Sequence, residues 1–361
     1  MLTAQSLKTV TACRFCWMCR HLCPVGLATG KENNGPRAKA LFLYLQEKGL
    51  DLAADTAMDM YECALCNACA ANCETGYEPP KYIRAARAEL LANGMVPAKI
   101  RETIDILVES GNLYGADIEA SLEQTKIKTQ CKILVYAGAT AAVKTPKNIK
   151  ALMNLLEKAG LDAGIFAGTN SSGAAEYDLL GDIKEVHDIC ASCAKAVNDC
   201  GAEKLIVLNP SDAVMFKQQY PAWNISIDAE VITATAFVAE LVQTGALALR
   251  RTEGLVTYHD PCRLARDLEE IEPARYLIKS MGYELKEMGQ NGKRTRCCGG
   301  EVLCIHSPDI VKLMTEKRLE DAKRTGAEKL ITACPGCSAN FGSPSDIELC
   351  DIFILLSEHV K

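Results

Sequence analysis

Eight cysteines fall in two runs of identical spacing, Cys13, Cys16, Cys19 and Cys23, then Cys63, Cys66, Cys69 and Cys73. Both read C-x2-C-x2-C-x3-C, and Pro24 directly follows the first. Thiolates at that pitch wrap a short loop around a four-iron cubane, and where two cubanes share a domain the fourth cysteine of each run ligates the other cluster. The implied sets are Cys13, Cys16, Cys19 and Cys73 for one [4Fe-4S] cluster, and Cys63, Cys66, Cys69 and Cys23 for the second. Zinc knuckles are the competing chemistry, but these combine separated CxxC or Cys/His pairs rather than two runs of four.

Five more cysteines, Cys262, Cys297, Cys298, Cys334 and Cys337, follow three successive stretches that read as strands. The elements behind them set the architecture. Residues 1–110 read as helical, with helices over Arg37–Lys48 and Lys81–Asn93. From residue 132 onward, β-rich runs at 132–138, 162–168, 204–209, 255–260, 283–288 and 329–332 alternate with helices at 146–159, 183–200, 273–281 and 308–325. That alternation predicts α/β layers with mainly parallel sheets. Residues 132–208 and 255–331 repeat the same order. In the second copy the five thiols come to one end of a parallel sheet, where open α/β folds place ligands. In the first copy the matching places, 138–142, 168–173 and 209–213, hold no cysteine.

Nineteen cysteines without an N-terminal leader argue for metal ligation rather than disulfides. No apolar run approaches bilayer length, so a soluble cytoplasmic protein is expected, able to dock on the inner face of a membrane through a partner. A formal net charge of −6 and the lack of a basic, aromatic-studded stripe exclude nucleic acid as a partner. The glycine-rich stretches lack G-x-G-x-x-G between strand and helix, so no flavin or nicotinamide site is expected in this chain.

The segments Tyr258-His-Asp-Pro-Cys262, Cys297-Cys298-Gly-Gly300 and Cys334-Pro-Gly-Cys337 resemble the cysteine-rich CCG domain. The whole chain is similar to CCG-domain iron–sulfur subunits, among them the D-type subunit of heterodisulfide reductase and the iron–sulfur subunit of glycolate oxidase. The resemblance implies an α plus α/β fold with four parts. These are a helical two-[4Fe-4S] ferredoxin domain over 1–110, a linker over 111–130, a degenerate CCG repeat without ligand cysteines over 131–250, and an intact CCG repeat over 251–361. It also implies that Cys262, Cys297, Cys298, Cys334 and Cys337 bind a further [4Fe-4S] cluster of noncubane type. In the first repeat, 167–173 replaces the paired cysteines and Asn209-Pro-Ser-Asp212 replaces CPxC, so one such cluster is the most the motifs support.

Other residues admit two readings each. His259 and Asp260 precede a ligand cysteine, and an imidazole there is a candidate proton donor to a leaving thiolate; a strand-end hydrogen bond is the plainer role. Arg263 and Arg266 read either as anion-binding or as solvated charge. Cys190 and Cys193, with His187 one turn earlier, read as apolar packing rather than a metal site. The function expected is an iron–sulfur electron-transfer subunit of a multi-subunit oxidoreductase. Its partner would be a flavin-dependent dehydrogenase or an electron-transferring flavoprotein, with a membrane-bound quinone or cytochrome partner on the acceptor side. Catalytic reduction of a disulfide or quinone-type acceptor at the third cluster is the alternative, and a redox sensor or scaffold the second alternative.

Overall fold

The computed structural model describes residues 4–50, 53–122, 130–166 and 171–361. Its N-terminal third is helical: Ala4–Ala12, Pro24–Thr29, Pro36–Glu47, Ala53–Tyr61, Pro79–Ala92 and Ala98–Ser110. Three of these helices open on proline, which lacks the N–H that a first turn cannot bond anyway. Pro24 therefore starts a helix as soon as the first cysteine run ends, and Gly30, in the left-handed region, closes it. The cysteine runs lie in the loops between helices, as the spacing predicts.

The remainder holds two four-stranded sheets in which every pairing is parallel. The first contains β1 (Ile133–Tyr136), β2 (Ala163–Ile165), β3 (Lys204–Val207) and β4 (Glu230–Thr233), in the order β2-β1-β3-β4. The second contains β5 (Leu255–His259), β6 (Glu284–Leu285), β7 (Lys329–Thr332) and β8 (Glu348–Asp351), in the order β6-β5-β7-β8. Strands β4 and β8 are additions to the expected set. Each is a four-residue edge strand whose first half is not buried, so no continuous apolar run marks it. The second expected strand runs to Gly168, and residues 167–170 lie outside the described part.

Register fixes how the two copies correspond. Ile133 pairs with Lys204, and Val256 pairs with Lys329. Counting onward from these residues, Asn209 falls where Cys334 does, Asp212 where Cys337 does and Ala139 where Cys262 does. The helices Ala174–Leu180 and Glu301–His306 each follow a glycine with positive φ, Gly173 and Gly300, which matches Ser171 to Cys298.

The copies pack reciprocally. Helix Pro146–Lys158 of the first lies on Ile352–His359 of the second, and Glu272–Ser280 of the second lies on Ala234–Gln243 of the first. One apolar core joins them, with Leu152, Leu155, Phe237, Leu277 and Phe353 buried inside it. Asn148 donates to Asp351 across this seam at 2.7 Å. The same pseudo-symmetry turns the sheet ends toward each other, as Pro335–Phe341 packs on Ala139–Lys144 and Pro210–Val214 packs on Arg263–Asp267.

Candidate metal centres

The two cysteine runs open on one local conformation and differ at the fifth residue, where Trp17 has φ −97° and Asn67 62°. Phe15 and Leu65, each two residues after the first cysteine of its run, have φ of 51° and 47°. Their amides donate to the Cys13 and Cys63 sulfurs at 3.3 and 3.4 Å. A left-handed residue other than glycine costs roughly 1–2 kcal/mol, and here it turns the backbone N–H onto a sulfur in both loops. Gly26 and Gly299 make the same N–H to sulfur contact with Cys23 and Cys297.

The thiols sort into neighbourhoods. Cys13 feels the charge of Cys16 and Cys73, and Cys19 that of Cys13 and Cys16. Cys23 feels Cys63 and Cys66, and Cys69 feels Cys66, Cys63 and Cys23 before Cys19 of the other set. Cys23, Cys63, Cys66 and Cys69 line one small cavity beside the buried Lys39. Burial raises the pKa values of Cys13, Cys19, Cys23 and Cys69. These crowded buried thiols are stable as thiolates only with positive charge among them.

The five C-terminal cysteines also converge. The Cys262 and Cys297 sulfurs lie 3.7 Å apart, and those of Cys298 and Cys337 lie 3.3 Å apart. Cys334 joins through a hydrogen bond with Cys337. The adjacent thiols interact with each other and with different neighbours beyond, Cys297 with Cys262 and Cys66, Cys298 with Cys337 and His259. Gly299 allows this: its φ is 122°, and a Cβ would lie 2.7 Å from Val311 Cγ2. Asp260 shapes the preceding loop by accepting from Gly292 N at 2.8 Å and binding Arg275 through both oxygens. The sulfurs hydrogen-bond chiefly to one another, in a cavity of about 40 Å³ that Cys63 also lines. Such a donor set fits iron–sulfur ligation.

Residues 9–77 match the 4Fe-4S dicluster domain, and residues 256–342 match the cysteine-rich CCG domain. The D-type subunit of dihydromethanophenazine:CoB–CoM heterodisulfide reductase from Methanosarcina acetivorans is 26% identical, over 99% of this chain and 95% of that protein. The chain carries both a 4Fe-4S dicluster domain and a cysteine-rich CCG domain. It is also similar to the B-type subunit of the CoM/CoB fumarate reductase from Methanothermobacter marburgensis, 24% identical over 92% of this chain and 68% of that one. Its similarity to an EtfAB:quinone oxidoreductase from Syntrophomonas wolfei is 23% identity over 77% of this chain and 42% of that one. In fold it resembles a Helicobacter pylori hypothetical protein at a TM-score of 0.51 and 11% identity, covering 99% of this chain and 73% of the other. No helix among the described residues is long and apolar enough to cross a membrane.

The CCG site and the second cysteine run are joined directly. Cys66 and Cys297 pack in one buried cluster, and Cys297 with Arg266 pulls the Cys66 thiol below the ordinary range. Arg266 is buried, donates to the Cys66 carbonyl at 2.6 Å, and binds the Thr295 and Lys293 carbonyls on the other side. Asn67 donates to Asp267 at 3.0 Å. Arg266 is therefore buried rather than solvated, and its Nη2 is left without a hydrogen-bond partner. Arg263 is tied to Asp178 and Asp267, and Arg84 holds the same Asp178. Burial pushes the Asp178 carboxyl up, but Arg263 and Arg84 outweigh it and hold it below the usual range.

His259 is fully buried at the same site. Arg318, also fully buried, donates from Nε to His259 Nδ1 at 3.1 Å. A guanidinium only donates, so Nδ1 accepts and the ring hydrogen sits on Nε2. Nε2 has no nitrogen or oxygen partner, and the histidine lies with the Cys298 and Cys337 sulfurs within 4.8 Å. Burial, reinforced by Arg318, holds the imidazole below its ordinary pKa.

Several contributors escape a motif search. Lys39 reaches the Asp59 and Glu62 carbonyls, and Arg87 takes those of Met60, Tyr61, Cys63 and Asp178. Both are buried. Cys190 and Cys193 are fully buried in the core, while His187 stacks on Trp223 at the surface, so the three do not converge.

Proposed function

We propose that the chain is the iron–sulfur electron-transfer subunit of an oxidoreductase complex, with three cluster sites in series. Cys13, Cys16, Cys19 and Cys73 would hold one [4Fe-4S] cubane, and Cys63, Cys66, Cys69 and Cys23 the second. Cys262, Cys297, Cys298, Cys334 and Cys337 would hold the third cluster, of noncubane type. Such clusters, when bound, supply one-electron transfer at potentials set by charge, hydrogen bonds and exposure. The single observation that carries the reading is the Cys66–Cys297 contact, clamped by Arg266. It packs a cysteine of the second set into one buried cluster with a cysteine of the third.

The chain's own residues do three things in this reading. Lys39, Arg87 and Arg266 bring positive charge to buried thiolates. Phe15, Leu65, Gly26 and Gly299 donate backbone N–H groups to sulfur. His259 lies beside the Cys298 and Cys337 sulfurs and would donate Nε2–H to a thiolate there. The first set lies at the outer end, since Cys16 is exposed and Trp17 and Met18 beside it are 49% and 67% exposed. That end suits a protein partner, and by analogy with the relatives the partner is a flavoprotein or a quinone-linked protein. Anaerobic iron analysis with EPR tests the reading. About twelve irons per chain are expected, an estimate from three four-iron clusters, together with a pair of interacting reduced cubanes. A yield near eight irons would remove the third site.

A cleft favours a second reading, reduction of a small disulfide at the third site. Its volume is about 810 Å³, with Lys81, Arg84, Tyr177 and Gln218 on its walls. It shares Leu65, Asp178, Ser211 and Arg263 with the thiol-lined cavity, so a small molecule in it would lie next to the site. Chemically reduced protein would then release thiol from a mixed disulfide without a partner; no release across several disulfides leaves relay alone.

A further inference from the structure

The first repeat keeps the geometry of the thiol site but offers oxygen where the second offers sulfur. By strand register Asn209 stands for Cys334 and Asp212 for Cys337, and Ser171 stands for Cys298. These residues, with Tyr114, Thr140 and Glu301, line a cavity of about 60 Å³. Asp212 is 6% exposed; its Oδ1 accepts from Ser172, but its Oδ2 has no partner. Gly138 faces that oxygen, and any Cβ there would overlap it. Glu301 enters from the second repeat, accepting from Asn209 Nδ2 at 2.8 Å, with Thr140 on the same wall of the cavity. Thr140 in turn meets the Tyr114 hydroxyl at 2.9 Å.

Two carboxylates thus share one cavity, and no lysine, arginine or histidine lines it among the described residues. Burial, with Glu301 adding to it, pushes the Asp212 carboxyl up to about 8. An uncompensated buried carboxylate either takes up a proton or binds a cation. The donor chemistry separates these outcomes. Carboxylate, amide and hydroxyl oxygens select hard cations as thiolates select iron and zinc. The volume accommodates an ion with a few waters, since one water needs only roughly 10–15 Å³ on this measure, and it is too small for a larger ligand.

We propose that the first repeat is a binding site for a hard divalent cation of the Mg²⁺, Mn²⁺ or Ca²⁺ class, held by Asp212 and Glu301 with Asn209 and Thr140 beside them. Glu301 also lines the thiol cavity of the second repeat, so the two sites are neighbours. Mn²⁺ is the probe: cluster-loaded protein, freed of divalent ions on a chelating resin, is titrated while the room-temperature EPR sextet reports free Mn²⁺. One saturable site per chain is expected, competed by Mg²⁺ or Ca²⁺ and weakened at least tenfold in Asp212→Asn, with iron content unchanged. Glu301→Gln, which keeps an acceptor for Asn209, serves as the second variant and weakens binding as well. Absence of a saturable site in the wild type would overturn the proposal, leaving Asp212 protonated. Equal binding by the wild type and a folded Asp212→Asn or Glu301→Gln variant would overturn it too, by placing the ion elsewhere.

Discussion

Five and eight residues after the first residue of β7 the chain places Cys334 and Cys337, and at the same steps after the first residue of β3 it places Asn209 and Asp212. Both tetrads carry proline at the second position, and Pro210 and Pro335 each open a helix. The backbone is the same machine twice; what differs is four or five side chains at its working end. In the second repeat these are mutually hydrogen-bonded sulfurs with a histidine and buried guanidinium groups around them. In the first they are a serine, an asparagine and a carboxylate with an orphaned oxygen. Sheet register decides where a ligand can sit, and residue type alone decides whether that ligand is soft or hard.

The comparison also has an electrostatic side, which can be broken by substitution. Arg87 supports the thiol side, holding the Met60, Tyr61, Cys63 and Asp178 carbonyls from a buried position. Arg87→Met leaves those acceptors dry, and we expect a loss of about 3 kcal/mol or more, read as a fall in thermal midpoint at equal iron content.

His306 gives the next largest effect. It is buried beside Tyr61, and burial, followed by Arg87 and Lys99, lowers its pKa to about 3. The unfolded chain takes up this proton near pH 6.5, whereas the folded chain does not until about pH 3. Its contribution is therefore complete above pH 6.5 and is lost as pH falls through that window, at up to about 1.4 kcal/mol per pH unit. His306→Leu should show a shallower decline in thermal midpoint between pH 7 and 5 than the wild type.

A smaller effect sharpens the reading of His259. Losing a hydrogen bond to a charged group costs about 1.5 kcal/mol, which for one electron corresponds to roughly 60 mV. His259→Phe should lower the midpoint potential of the C-terminal centre by about that much with iron retained, and His259→Gln should restore most of it. An unchanged potential would reduce His259 to packing.

The smallest expected effect is none. Asn209→Cys with Asp212→Cys recreates the CPxC pattern in the first repeat, but Ala139 and Ser171 still stand where Cys262 and Cys298 would be needed. Iron content should stay at the wild-type value, and a gain of about four irons would show that two thiols suffice.

The cysteines were legible because their spacing is itself the chemistry, and the alternation of short apolar runs with amphipathic helices gave both sheets and the helices over 146–159, 183–200, 273–281 and 308–325, but not Ala98–Ser110, Ala234–Gln243 or Ile352–His359. Helix Pro146–Lys158, expected over 146–159, shows how well proline starts and glycine stops mark the ends. Strands β4 and β8 were not legible, since Glu230–Thr233 and Glu348–Asp351 are short and carry charged ends. Nor were the buried cations. Arg266 and Arg318 read like any surface arginine until the fold shows that backbone carbonyls and His259 receive their N–H groups. Asp212 was visible only as a missing cysteine, because its meaning depends on Gly138 and Glu301, which lie 74 residues before it and 89 after it in the chain.

The central claim is that a sulfur site in the second repeat adjoins the second cysteine run and has no counterpart in the first. Iron analysis and EPR of Cys297→Ser against the wild type test it most directly. We predict about twelve irons falling to about eight, with the interacting signal of the two reduced cubanes intact and the separate third signal gone. Twelve irons retained with all signals unchanged, or a wild type that never exceeds eight, would contradict it.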